Sequence, residues 1–501
     1  MLAAVILMVL ALVNIFAGLV WAVVAVAIAA PSAFPTRDGY GRYQAVWRRH
    51  QRRTARRSGK DELRQGLTGA VPDGRCRLPG VAAGTELTSH TDMHGRAFGL
   101  IHWPHAGLYS VVVQVAPTGF SGLDKTLTDS WVAHWAAWLG LLNTVEEIQG
   151  AAVVIETVPD SGQRLERAMA RGRIEDGAVP AFARVAEAEL RRDLRVGSPT
   201  LTGRVTLTLT SRALDGDRDS ESSVRTLEDM ADQIGDLLPS WTASLAATGA
   251  GTAARPCTAQ EITDSTRVAF DPSVAGDVEE AQLAALSGAG EGTGLVWAEV
   301  GPIAHRVLED FYRHESTLSR TWQMSSPPNG VSGRFFAQTL TRMLEPHKDI
   351  PRKRVALLYR AETPQVSAAA ADADVRKALF KATQGRRAKA GARAELASAE
   401  ATAAQEAHGS PLVRVGMLVT VSADSPEALR RASRAVKSGL AAQARIGLRV
   451  PIGSQDMAFL TALPLGLVPQ HVARAPGKKP TVPSSAERAS GAAAVASERE
   501  W

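Results

Sequence analysis

The chain begins with an uncharged apolar run from Leu2 to Ala30. A helix of this length would extend about 43 Å, more than the ~30 Å hydrocarbon core of a bilayer. A cleaved signal peptide is the alternative, because small residues are frequent in Ala27–Ala33. A signal peptide, however, has a positive segment and then only about 7–15 apolar residues. The pattern therefore predicts a transmembrane helix over residues 1–31, either tilted or with an interfacial extension.

Further along the chain, strand-like apolar runs alternate with helical periodicity in two successive halves. In the first half the pattern predicts strands at 98–103, 109–116, 152–158 and 205–210, and helices at 126–142, 162–192 and 223–248. In the second half it predicts strands at 320–324, 354–359 and 413–421, and helices at 333–344, 365–407 and 426–444. Gly385 and Gly391 can divide the region 365–407 into a helical hairpin. Both halves run strand–helix–strand–long helix–strand–helix, without a repeat at the level of residues.

These elements predict a fold class of α/β (α+β), with helices on one or both faces of a sheet. The expected architecture is an N-terminal transmembrane helix followed by two tandem strand–helix domains with long helices. The predicted ranges are a basic juxtamembrane linker at 32–70, a first α/β domain at 71–250, a second at 256–470 and a disordered tail at 473–501. Cys76 and Cys257 lie far apart and predict neither a disulfide framework nor a zinc site.

Basic residues are concentrated directly after the uncharged run. Residues 37–64 hold ten basic and three acidic side chains, a net charge of +7 in a chain whose total is +6. Cations beside a membrane span remain on the cytoplasmic side and attract anionic lipid. We therefore expect an outside N-terminus, a cytoplasmic body and a location in the inner (cytoplasmic) membrane. The residues predicted to face lipid are Arg48, Arg49, Arg52, Arg53, Arg56 and Arg57.

Direct nucleic-acid binding by this basic segment is the competing interpretation. A recognisable nucleic-acid-binding fold is missing from the sequence, which favours lipid. The sequence leaves direct nucleic-acid binding open.

Motifs of catalysis are missing from the sequence. It contains no G-x-x-x-x-G-K-[ST] phosphate loop, no G-x-S-x-G elbow and no H-E-x-x-H zinc motif. His90 and His94 are four residues apart, with His102 and His105 downstream, but Gly95 favours a turn over the helix that would bring the first two together. We predict no enzyme, no cofactor and no metal site, with a membrane-tethered metal enzyme as the less favoured alternative.

Several short stretches occur in an order that resembles a known family. They are Gly74–Gly80, Gly99–His102, Trp131–Trp135, Tyr312–His314, Arg352–Arg360 and Gly453–Gly466. The last stretch resembles the end of the N-terminal, non-motor domain of conjugative type IV secretion ATPases. The whole set, which spans most of residues 70–470, is similar to an actinobacterial membrane protein family of integrative conjugative elements.

This resemblance implies a non-catalytic, membrane-anchored subunit of a conjugative, type IV secretion-like DNA-transfer apparatus. About 35 residues follow Gly466, too few for the motor domain, so a separate conjugation-type ATPase is expected as a partner. The residues predicted to dock partners are Gln455, Phe459, Leu463 and Pro464. Other expected partners are the membrane, further secretion-apparatus subunits and a second copy of the chain.

Two features leave room for other interpretations. The family tends to have two membrane segments, whereas this sequence contains one apolar run. A structural subunit of a type VII-like secretion complex is the alternative function, since such a subunit also has a membrane anchor and a cytosolic body.

Overall fold

The computed structural model describes residues 42–66, 69, 75–117, 124–145, 147–159, 180–197, 199–212, 224–251, 253–326, 341–361, 364–383, 390–407 and 413–469. The helices in these ranges are α1 (Arg42–Arg57), α2 (Lys125–Thr144), α3 (Ala181–Gly197), α4 (Leu227–Ala246), α5 (Ala259–Phe270), α6 (Ala275–Leu286), α7 (Pro364–Thr383), α8 (Ala390–Ala407), α9 (Pro426–Arg434, continued by π-helical turns to Ala441) and α10 (Gln455–Thr461). The strands are β1 (Glu62–Arg64), β2 (Glu86–Thr91), β3 (Ala97–Trp103), β4 (Leu108–Val115), β5 (Ile148–Val158), β6 (Thr200–Thr210), β7 (Arg255–Pro256), β8 (Ala304–Val307), β9 (Tyr312–His314), β10 (Thr317–Ser326), β11 (Arg352–Ala361), β12 (Val413–Ala423) and β13 (Gly447–Arg449).

These strands form a single antiparallel sheet. Its order is β1-β8-β9-β10-β12-β11-β5-β6-β4-β3-β2, while β13 pairs with β10 and β7 pairs with β4. The first half of the chain supplies β2 to β6, and the second half supplies β8 to β12. The two sets meet at β5 and β11, where Val154 lies opposite Ala356.

The predicted fold class is therefore wrong. The described residues are a mixed α/β structure built on one large antiparallel sheet, not two tandem domains behind a transmembrane helix. In the described ranges, no helix combines the length and the apolar character needed to cross a bilayer. The predicted helix at 1–31 lies outside these ranges, as does the predicted tail at 473–501. Strands from both predicted domain ranges, 71–250 and 256–470, take part in the same sheet. The boundaries of these ranges stay predictions.

The two halves have the same connectivity around the β5–β11 junction. Each has a three-stranded meander, then a fourth strand, a helical insertion and a fifth strand placed between the third and the fourth. In each half a helix and a short strand follow, and that short strand pairs back onto the third strand, as β7 on β4 and β13 on β10. This equivalence places an approximate twofold axis normal to the sheet between β5 and β11. It supports the duplication that the order of predicted elements suggests.

The sheet is covered on both faces. On the first face, α4 packs Ile234 and Leu238 against Val111 and Leu207 of the strands, and α9 covers Val419 in the same way. On the second face, a different cluster includes buried side chains from β3, β4, α5 and α10. Each large apolar side chain that is fully buried contributes about 1.5–3 kcal/mol, so both clusters stabilise the sheet.

Two of the helices begin with a capping box that is visible in the sequence. Thr226 precedes α4 and exchanges hydrogen bonds with Asp229, and Thr258 does the same with Glu261 at the start of α5. In each case the threonine hydroxyl accepts from the third helical backbone N–H, which would otherwise lack a partner. Glu261 also forms an ion pair with Arg255 of β7, which connects the start of α5 to the sheet.

Most predicted elements of the body are confirmed. The apolar strands correspond to β3, β4, β5, β6, β10, β11 and β12, and the helices to α2, α4, α9 and the hairpin of α7 and α8. For the predicted helix at 162–192, the described part is included in α3, and its earlier residues lie outside the described ranges. Of the predicted helix at 333–344, only residues 341–344 are described, and they are helical.

Candidate functional site

The predicted docking residue Gln455 is fully buried at the start of α10. Its side-chain Oε1 accepts a hydrogen bond of 2.9 Å from the backbone N–H of Thr321, and its Nε2 donates one of 3.0 Å to the carbonyl of the same residue. Thr321 lies on β10 between the stretches that pair with β9 and with β13. The amide of Gln455 therefore takes the place of a neighbouring strand at this gap in the ladder.

The other predicted docking residues, Phe459, Leu463 and Pro464, are also buried. The ring of Phe459 packs against Tyr312 and His314, with centroid distances of 5.5 and 4.7 Å. Burial of apolar surface and aromatic contacts of this kind stabilise a core. None of the four predicted docking residues is therefore on the surface, and their contacts are internal to this chain.

The residues that follow continue across the second face of the sheet. The indole N–H of Trp103 donates to the carbonyl of Leu465 at 3.2 Å, and the hydroxyl of Thr208 donates to that of Gly466 at 2.9 Å. Gly466 has φ +75°, and a Cβ there would lie 2.2 Å from Oγ of Ser110. Only glycine combines this conformation with this close approach. Residues 455–466 thus connect the two halves of the sheet through contacts inside this chain.

The predicted lipid-facing arginines of α1 divide into two groups. Arg49 and Arg52 form ion pairs with Glu309, at 3.0 and 2.8 Å, so their head groups face the body of the protein. The exposed arginines on α1 include Arg53, Arg56 and Arg57, whereas Arg48 is half-buried. The ion pairs place the head groups of Arg49 and Arg52 beside Glu309, and lipid contact by the six arginines stays a prediction.

The histidines considered as metal ligands lie on or beside the hairpin of β2 and β3 and are engaged separately. Nε2 of His90 is 2.9 Å from the hydroxyl of Thr88, and Nδ1 of His102 is 3.2 Å from Glu86. His102 pairs with Glu86 in the β2–β3 register, four positions from His90, or about 13 Å along the strand. In the part of the chain that the structure describes, no group of three or more His, Cys, Asp or Glu side chains could hold a metal ion.

Charged side chains form a buried cluster where β5 and β11 pair. Oε1 of Glu156 is 2.9 Å from Nη2 of Arg354 and 3.6 Å from Nη1 of Arg352. The guanidinium of Arg354 also lies 5.5 Å from the ring centre of Phe459. The cluster connects the two halves of the sheet to α10, and its contacts are those of a structural ion pair.

The helical insertions carry exposed apolar residues that were not predicted from the sequence as site residues. On α3, between β5 and β6, Phe182 and Val185 are 76% and 59% exposed. On α7, between β11 and β12, Leu379 and Phe380 are 48% and 62% exposed. On α3 the spacing of Phe182 and Val185 was an available signal, because side chains three apart share a helix face. Leu379 and Phe380 are adjacent in an alanine-rich helix and gave no such signal.

The hairpin of α7 and α8 is held together mainly by contacts between its own helices. Ala371 and Ala378 are buried in it, and Nζ of Lys381 lies 2.6 Å from Oε1 of Glu395. Because α7 has 20 residues, its end lies about 30 Å from its start at β11. Leu379 and Phe380 are therefore near the distal end of the hairpin.

No protein-family model matches this chain, and no curated protein matches it either.

Proposed function

We propose that this protein is a non-catalytic subunit, located at the cytoplasmic membrane, of a conjugative, type IV secretion-like DNA-transfer apparatus. In this proposal it docks a separate motor ATPase. Two resemblances in the sequence support it: the stretch Gly453–Gly466 resembles the end of the non-motor domain of such ATPases, and the set of stretches between Gly74 and Gly466 is similar to the membrane protein family of integrative conjugative elements. The basic residues of α1 support the membrane location.

The observation that carries the docking role is the pair of helical insertions with exposed large apolar side chains. Contiguous exposed apolar residues on a folded protein mark interaction sites. The insertions follow β5 and β11, which are adjacent and antiparallel, so they leave the sheet at opposite ends of its two central strands. Two equivalent surfaces, on α3 and on the α7–α8 hairpin, would then be available to the ATPase.

Charged substitutions on the two insertions test this role. We expect the full-length variants F182D/V185D and L379D/F380D to retain their circular dichroism spectrum, because the replaced side chains are exposed. Each should reduce the amount of motor ATPase copurified from native membranes by about tenfold or more, because a few side chains carry most of the binding energy of an interface.

The matched control is L286D, which replaces another strongly exposed leucine, at the end of α6 and away from the insertions. It should leave the amount of copurified ATPase unchanged. Equal copurification by the insertion variants and by L286D would contradict docking through the insertions.

A further inference from the structure

The side of α1 that faces away from the body is apolar and aromatic in its first half. Tyr43, Val46 and Trp47 are 50%, 63% and 62% exposed. They are spaced by three and four residues and so occupy one side of the helix. His50 continues this side, with its ring stacked 6.3 Å from that of Trp47. We call this side, from Tyr43 through His50 to Arg57, the outward face of α1.

The opposite side of α1 is fixed to the body. Ala45 is 1% exposed and packs against Ile452. The carboxylate of Glu309, in the turn between β8 and β9, is paired with both Arg49 and Arg52. Because one side of α1 is held in this way, its outward face has a defined direction relative to the sheet.

The charge of α1 has one sign. The helix contains seven arginines and no acidic residue. Arg53 and Arg57 continue the outward face after the aromatic residues, and both are exposed. Tryptophan and tyrosine favour the level of the lipid headgroups, and arginine beside them is attracted to anionic lipid.

We propose that the outward face of α1 lies in the headgroup layer of an anionic phospholipid bilayer. This contact would place the turn between β8 and β9, which holds α1 through Glu309, on the side towards the membrane and fix the orientation of the body. Lipid is favoured over DNA because three large apolar or aromatic side chains lie at the contact and because the uncharged run Leu2–Ala30 precedes the helix. The inference rests on the proposed membrane location but not on the partner ATPase, so its failure would leave the docking proposal to its own test.

A probe at position 47 of the full-length chain tests the contact. In a C76S/C257S background, W47C is labelled with an environment-sensitive fluorophore, and F182C on α3 is the control for another exposed aromatic position. The labelled chains are placed in phosphatidylcholine nanodiscs with or without phosphatidylglycerol, some containing a headgroup-level lipid quencher. We expect quenching and a blue shift at position 47, stronger with phosphatidylglycerol, and neither change at position 182.

Charge reversal separates a specific contact from a general effect of charge. We expect R53E/R57E to weaken the apparent affinity for phosphatidylglycerol, as measured by the probe at position 47, by about tenfold or more. Each arginine near an anionic surface contributes to the attraction to lipid. R376E/K377E makes the same change in net charge on α7 and should leave the signal at position 47 intact.

Three results would overturn the inference. The first is an aqueous signal at position 47 in both kinds of nanodisc, and the second is equal quenching at position 182. The third is a response of the probe at position 47 to duplex DNA with none to the nanodiscs, which would make α1 a nucleic-acid contact instead.

Discussion

At the scale of single residues, Glu156 joins the two halves of the sheet through charge. It lies on β5 opposite Arg354 of β11, and Arg352 of the same strand also forms an ion pair with it. Burial alone would raise the pKa of Glu156, but Arg354, Arg352 and Arg204 outweigh burial, so the pKa is lowered. The carboxylate is therefore ionised at neutral pH, where it compensates for the buried guanidinium groups.

Replacing Glu156 by glutamine should strongly destabilise the protein. E156Q keeps the shape of the side chain but leaves Arg354 buried without its counter-charge, which costs about 3–5 kcal/mol. Urea unfolding at pH 7 measures the loss in the free energy of unfolding. The control E427Q removes an exposed carboxylate paired with Arg430 and should leave that free energy unchanged. Equal effects of E156Q and E427Q would contradict the structural role of the cluster.

His314 makes the stability of the fold depend on pH. Burial lowers the pKa of His314 to about 4, and Arg354 and His305 act in the same direction, while the carbonyl of Phe270 opposes them. In the unfolded chain the pKa of histidine is about 6.5, so the unfolded state binds more protons between these values. The contribution of neutral His314 is therefore complete above pH ~6.5 and is lost as pH falls towards 4.

We therefore expect His314 to reduce the free energy of unfolding by at most about 3 kcal/mol as the pH falls from ~6.5 to 4. Denaturant titrations across this range, for the wild type and for H314Q, measure it. Glutamine does not titrate, so the variant should lose less stability per pH unit than the wild type. Identical slopes for the two proteins would show that His314 is not buried in its neutral form.

At the scale of elements, the α7–α8 hairpin should behave as a separate cooperative unit. Ala378 is 2% exposed between the two helices, so leucine at this position would overpack the contact and cost about 1–3 kcal/mol. We expect A378L to speed up hydrogen exchange in α7 and α8 while the amides of β11 and β12 keep their protection. A373L replaces an exposed alanine of the same helix and should change neither. Faster exchange throughout the sheet in A378L would contradict local unfolding.

The elements that the sequence predicts are those with a strong apolar pattern of their own. Runs such as Val111–Val113 and the stripe of α4 identify strands and helices without tertiary information. The edge strand β2 was missed because its residues, Glu86–Thr91, are mostly polar and partly exposed. Helix α5 was missed although Thr258 and Glu261 form a capping box, because its buried face includes polar side chains as well as apolar ones.

The predicted site depended on contacts that no local pattern contains. Gln455 is buried because Thr321, 134 residues away, offers it both backbone groups. The carbonyl of Leu465 accepts a hydrogen bond from the indole N–H of Trp103, which lies 362 residues earlier in the chain. The sequence pattern of residues 455–466 would fit an exposed segment that docks a partner and also a buried segment that connects the two halves of the sheet. Contacts with residues distant in the sequence decide between these two.

At the scale of the whole molecule, one continuous sheet predicts one cooperative unfolding transition. The junction of β5 and β11 includes the small buried residues Ala152, Val154 and Ala356, with Ala462 packed on them. Separation of the halves would expose this core and the Glu156 cluster together. Native-state hydrogen exchange should therefore give the same free energy of opening for amides of β4 and of β12. Two well-separated values would indicate two independent domains.

The duplicated architecture also gives the molecule the form of a scaffold. Two equivalent sheet units are joined at their centre, each with a helical insertion, and α1 is fixed to one edge of the sheet. This arrangement is suited to holding a partner at a defined position relative to a membrane. It is compatible with the proposal that the protein docks a separate motor ATPase.

Purification of the tagged full-length protein from native membranes, with identification of its stoichiometric partners by mass spectrometry, tests that claim most directly. The proposal predicts a phosphate-loop ATPase of the conjugation type in the complex, in an amount comparable to the protein itself. A membrane complex that contains no such ATPase would contradict it.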